Sequence, residues 1–128
     1  MPPGGAPCAA EFLRPWVGRV TQHPAGSGRS IATSPHRHAS PQATLHGGAV
    51  STLVDVVGTL ALIAHDPTRA GVSLEMNTSF LAAAQAGDEL IATGRVLKAG
   101  RSIGFTEVEV RRKSDHRLIA TGRHTKAL

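Results

Sequence analysis

Asp55 stands inside the most apolar stretch of the chain, residues 49–64, flanked by Leu53, Val54, Val56 and Val57. A carboxylate in such company costs free energy unless it is paired, hydrogen-bonded or put to use. The use it suits is general-base chemistry, drawing a proton from a water molecule as that water attacks. A second reading makes Ser51, Asp55 and Thr59, spaced i, i+4 and i+8, a polar stripe that a helix turns toward water. Just ahead of this stretch stands His46-Gly47-Gly48. Two glycines at a helix mouth leave backbone N–H groups uncovered, and the helix N-terminus adds partial positive charge, a donor set that fits a developing oxyanion. The same pair also does no more than let a chain turn into a helix. Ser73 is the third candidate, a hydroxyl able to orient a water held by a carboxylate. Ser73 does not sit in a Gly-x-Ser-x-Gly elbow and no base stands at a motif spacing, so a nucleophilic role for it is not expected. His23, His36, His38 and His46 lack regular ligand spacing and carboxylate partners, and no metal site is expected.

The elements that must position these groups follow from periodicity. The apolar stretch is too long for a strand and predicts a helix, ended by His65-Asp66-Pro67 because the residue before a proline is pushed out of the helical region. Apolar side chains occur on nearly every side of it, which predicts a helix wrapped by other structure. His46 precedes Asp55 by nine residues, roughly two and a half turns, so the two project to opposite sides of one helix. Two antiparallel copies meeting along the helix would bring them together. Residues 71–80 alternate, with Val72, Leu74 and Met76 on one face and Ser73, Glu75 and Asn77 on the other, which predicts a half-buried strand. Further strands are predicted at 89–97, 103–111 and 118–125, separated by turn residues, with shorter ones at 17–20 and 30–33. There is no internal repeat. One buried helix followed by consecutive turn-linked strands predicts an α+β domain, an antiparallel sheet curled around the helix.

The chain has 128 residues, enough for one domain. Aromatics make up 3% and tyrosine is absent, so base stacking is poorly supplied and a nucleic-acid partner is not expected. The net charge of +5 suits a polyanionic partner, a phosphate-bearing cofactor among them. Cys8 is the single cysteine, which excludes an intrachain disulfide and points to a reducing compartment. The apolar stretch is shorter than a bilayer span and carries Asp55, so a buried helix is expected rather than membrane insertion. Arg14, Arg19, Arg29 and Arg37 against Glu11 alone give the first 44 residues a balance similar to a transit peptide. Pro2, Pro3, Pro7 and Pro15 interrupt any amphipathic helix there, so residues 1–16 read as a flexible segment ahead of a domain at 17–128, with 44–128 its clearest part. A cytoplasmic location is expected, with mitochondrion or another organelle as the alternative.

Leu45-His46-Gly47-Gly48, Leu53-Val54-Asp55, residues 71–77, Val96-Leu97-Lys98-Ala99-Gly100-Arg101 and Gly122-Arg123-His124-Thr125-Lys126 together resemble the hotdog thioesterase superfamily, in continuous order over residues 44–128. The resemblance implies a hotdog fold and hydrolysis of a medium- or long-chain fatty or aryl acyl-CoA to free acid and CoA, a step of fatty acid metabolism. Coenzyme A is then part of the substrate and no separate cofactor is implied. By the same resemblance Asp55 activates the water and Ser73 helps hold it. The backbone at Gly47 polarises the thioester carbonyl and His46 supports that turn. CoA is gripped near Phe80 and along Lys98, Ala99, Gly100, Arg101, Ser102 and Ile103, with Lys98 and Arg101 facing phosphates. The implied site is shared across a homodimer, and dimers pair into tetramers. The chain departs from the pattern at Ser40, where the family carries an Asn or Gln that helps bind the carbonyl, and over residues 26–42, which are poor in β-branched residues. A non-catalytic acyl-CoA binder and an enoyl-CoA hydratase on the same fold are the competing expectations.

Overall fold

A computed structural model describes residues 19–23, 27–33, 47–85 and 87–128. The apolar stretch folds as α1, Gly47–His65. The amide of Asp66 still donates to the Leu62 carbonyl at 2.8 Å. Its carboxylate then accepts from the backbone and hydroxyl of Thr68, a local turn that competes with further helix. By length and composition alone α1 is long and apolar enough to cross a bilayer, a test that core helices also pass, and 44% of that stretch is buried within the fold.

Six strands follow the predicted order: β1 Arg19–His23, β2 Ser27–Thr33, β3 Val72–Phe80, β4 Glu89–Ala99, β5 Ile103–Arg112 and β6 Leu118–Ala127. They form one sheet in the order β1-β2-β4-β5-β6-β3, antiparallel at every pairing. The chain leaves β2, crosses the sheet as α1 and returns as β3 on the far edge. This is the predicted sheet around a central helix, with the predicted segment 17–20 falling partly in β1 and 30–33 inside β2. The expected flexible segment 1–16 lies outside the described residues.

The core forms where α1 meets the sheet. Val50, Leu53, Val54 and Val57 pack on Leu90, Ala92, Val108, Val110, Ile119 and Ala120, each buried aliphatic side chain contributing about 1.5–3 kcal/mol of transfer free energy. Gly94 of β4 allows the close approach: a Cβ there would sit 2.8 Å from the Val57 carbonyl oxygen.

Two expectations are corrected. The helix is not wrapped on all sides, since Thr52 and Asp55 are exposed and Ser51, Val56, Thr59 and Leu60 only partly covered. One sheet covers one side of a helix about 10 Å across. The strand β3 is not half-buried either: Val72 is 72% exposed, Leu74 58% and Met76 40%, because β3 is an edge strand that α1 barely reaches. A bulge between Ser73 and Glu75 also breaks the predicted alternation. Ser73 stands opposite Lys126 and Met76 opposite His124, while Glu75 and Asn77 stand opposite Thr125 and Arg123. Paired residues point to the same side of a sheet. Ser73 therefore shares the helix-facing side with Met76, not the outer side with Glu75 and Asn77.

Replacing Gly94 with alanine should push α1 off the sheet. The expected loss is about 1–3 kcal/mol, read as a lower urea midpoint at unchanged slope.

Candidate active site

Along β6 the residues facing the helix are Ala120, Gly122, His124 and Lys126, all buried. A histidine and a lysine thus lie beneath α1, at the level of its polar stripe. The helix comes close enough because position 58 is glycine. A Cβ there would meet the Thr106 hydroxyl at 2.8 Å and His124 Nδ1 at 3.3 Å. Thr106 donates a hydrogen bond to the His124 carbonyl at 3.0 Å, tying β5 to β6 at this point.

His124 Nε2 lies 2.7 Å from Ser73 Oγ and 3.7 Å from Asp55 Oδ1. The imidazole is 1% exposed, and its Nδ1 is buried without a hydrogen-bond partner among the described residues. Which atom of the Ser73–His124 pair donates follows the imidazole tautomer. With the proton on Nε2, that N–H donates to Ser73 Oγ and the serine keeps its own hydrogen for another acceptor. Burial pushes the His124 pKa below its ordinary value; the nearby Lys126 charge acts in the same direction and Asp55 opposes both.

Lys126 is 5% exposed. Its Nζ donates to Thr59 Oγ1 at 2.9 Å, and that hydroxyl donates to the Asp55 carbonyl at 2.8 Å. Burial lowers the Lys126 pKa, with Asp55 opposing. The stripe Ser51, Asp55, Thr59 is thus neither bare nor purely solvent-facing: its middle member has a 51% exposed carboxylate resting over a buried polar layer.

The other expected groups lie elsewhere. Gly47 opens α1 against the ring of Phe80, where a Cβ would come within 3.4 Å of Cε1. It is eight residues before Asp55, about 12 Å along the axis. Gly47 and Phe80 line a cavity of about 350 Å³ with Val50, Leu81, Ala82, Ala83, Ala84 and Ile119. The far wall is fastened by Arg112, which donates to Asp88 Oδ2 at 3.0 Å and to the Ala83 carbonyl at 2.9 Å. At the β4–β5 turn, the Gly100 amide donates to the Ile103 carbonyl at 2.8 Å. Arg69 donates to the Gly100 carbonyl at 2.9 Å and also to that of Arg101. Lys98, Arg101, Ser102 and Ile103 are left exposed there, with Ala99 and Gly100 partly covered. Ser40 and His46 lie outside the described residues.

One chain therefore joins Asp55 to Ser73 and sets Gly47 with Phe80, but keeps the two groups apart. Sequence reasoning assigned no role to His124, Lys126, Arg69 or Arg112. The signal for the first two was their place at alternate positions of β6, in step with the small residues Ala120 and Gly122. Among the described residues no group of three or more His, Cys, Asp or Glu is placed to hold a metal.

A family model described as thioesterase superfamily matches residues 42–119. Human acyl-coenzyme A thioesterase 13 is 38% identical over 114 residues, 88% of this chain and 81% of that protein. Among solved structures, zebra fish thioesterase superfamily member 2 superposes with a TM-score of 0.82 at 36% identity, covering 86% of this chain and 80% of that one. The Mus musculus thioesterase superfamily member 2 structure gives 0.82 at 34% identity, covering 93% and 88%.

The buried imidazole makes stability depend on pH with a definite sign. The unfolded chain takes up a proton at about pH 6.5 that the folded chain, with its lowered His124 pKa, refuses. Stability from this group is complete above that pH and is lost as pH falls toward the folded pKa. The thermal midpoint should drop between about pH 7 and about pH 5.5, and His124→Gln should flatten that part of the drop.

Proposed function

The chain belongs to the thioesterase superfamily, and we propose that it hydrolyses acyl-CoA thioesters to free acid and CoA by a water molecule that Asp55 directs. The observation that carries this reading is the convergence of Asp55 and Ser73 on His124 Nε2. Asp55 accepts a proton from the water while the Ser73 hydrogen, freed by the His124 donor, holds its oxygen in place. The water oxygen bonds to the thioester carbon and the carbonyl becomes an oxyanion. Collapse breaks the carbon–sulfur bond, and the proton returns from Asp55 to the departing CoA thiolate. Groups that hold and deprotonate water in this way contribute about 10²–10⁴ in rate.

The oxyanion needs donors about 3 Å away, and the N–H at Gly47 of the same chain is about 12 Å from Asp55 along the helix. A homodimer that packs the open side of α1 and the edge of β3 against a second copy supplies the partner's Gly47. The uncovered Val72, Leu74 and Met76 and the unpaired outer edge of β3 support that contact, and pairing of such dimers gives a tetramer. Lys98 and Arg101 at the exposed β4–β5 turn suit the CoA phosphates. The cavity lined by three alanines, Phe80 and Ile119 suits a medium- or long-chain fatty or an aryl acyl group. The name of the human relative, acyl-coenzyme A thioesterase 13, supports the same substrate class.

Purified protein should release free thiol from medium- or long-chain acyl-CoA, and Asp55→Asn should lower kcat by about 10²–10⁴ while acyl-CoA still raises the melting temperature. Ser73→Ala should fall in between. Equal rates for Asp55→Asn and wild type would refute the assignment.

A further inference from the structure

Lys126 is a charged side chain 5% exposed, and the reaction as described makes no use of it. Among the described residues its ammonium has no carboxylate within 4 Å; its recorded partner is the Thr59 hydroxyl. Burying an amine with only a neutral partner is unfavourable, and a methionine of similar length would fill the same space without that cost. Something other than packing retains the charge. The geometry supplies a candidate. Thr59 lies one turn of α1 beyond Asp55, on the same stripe, and its hydroxyl links the ammonium to the Asp55 backbone. His124 stands two residues before Lys126 on the helix-facing side of β6. The positive charge therefore lies near both Asp55 and the imidazole that meets Ser73.

We propose that Lys126 is a positioning residue of the hydrolytic site, the buried charge that keeps a second cation off His124 and so leaves its single N–H for Ser73. This rests on the assignment of Asp55 given above. A buried cation two residues along the same face of β6 disfavours a second cation on the imidazole. A neutral imidazole has one N–H and gives it to Ser73. A protonated one would pair with Asp55 and remove the base from the water. The charged groups around the pair are few: Asp55 from α1, His124 and Lys126 from β6, and Glu75 of β3, which the register puts on the outer side of the sheet. Thr106, from β5, is uncharged. The direction of the His124 shift agrees, with Lys126 and burial both lowering its pKa.

The test is the pH profile of kcat/KM for wild type, Lys126→Met and Lys126→Arg, with acyl-CoA as substrate. The expected result for Lys126→Met is an acid limb that reaches half-maximum about one pH unit higher than in wild type, with Lys126→Arg restoring most of the shift. A side chain that only filled space would change amplitude and leave the limb in place. An acid limb in Lys126→Met that coincides with wild type overturns the proposal. If that variant does not fold, Thr59→Val, which removes the oxygen holding the ammonium, carries the test: a smaller shift in the same direction is expected, and none overturns it. Activity retained in Asp55→Asn would refute the parent assignment. An inactive Asp55→Asn with an unmoved limb in Lys126→Met refutes this inference alone.

Discussion

The contact on which the site depends is the burial of His124 between α1 and β6. It requires Gly58, because any side chain there would strike Thr106 and the imidazole. It requires the bulge in β3, because an unbroken alternation would have turned Ser73 to the outer side with Glu75. It leaves Nδ1 without a partner among the described residues, while Nε2 meets both Ser73 and Asp55. A buried polar group with one unmet valence is normally a defect. In the proposed reaction that imidazole donates from Nε2, and the serine hydrogen is left for water.

Much of this fold was legible in the residues. The apolar stretch with Pro67 behind it set α1, and the turn residues after Leu97, Arg111 and Gly87 separated the strands. Asp55 stood out because charge amid Val54, Val56 and Val57 is conspicuous in any window. The bulge was not legible, since Val72-Ser73-Leu74-Glu75-Met76-Asn77 alternates without a flaw and the shift arises from pairing with β6. The exposure of β3 was hidden for the same reason: alternation tells which residues share a face, not whether anything covers it. His124 and Lys126 were within reach of pattern reasoning only once Ala120 and Gly122 were known to face the helix, and that is a fact of packing. Arg69 and Arg112 act on carbonyls of Gly100, Arg101 and Ala83, partners that carry no sequence signature at all.

The helix divides the proposed reaction between its first turn and its middle. Its N-terminus offers the partial positive charge that an oxyanion seeks, while a base works best clear of that field, where its own charge is not spent on the same dipole. Putting Gly47 in the first turn and Asp55 in the third separates electrophile from base by about 12 Å, too far for one substrate carbonyl to meet both. A single chain could close the gap only by bending α1, and α1 is held straight against the sheet by Val50, Leu53, Val54 and Val57. In the proposed dimer a second copy closes it without strain, covering the open side of α1 and the edge strand β3, where Met76 on the helix-facing side is 40% exposed. In that arrangement the exposure of Asp55 in one chain is not a weakness of the site. Under the proposed function it is the half of the cavity that a partner would complete, and water retained there would be the reactant.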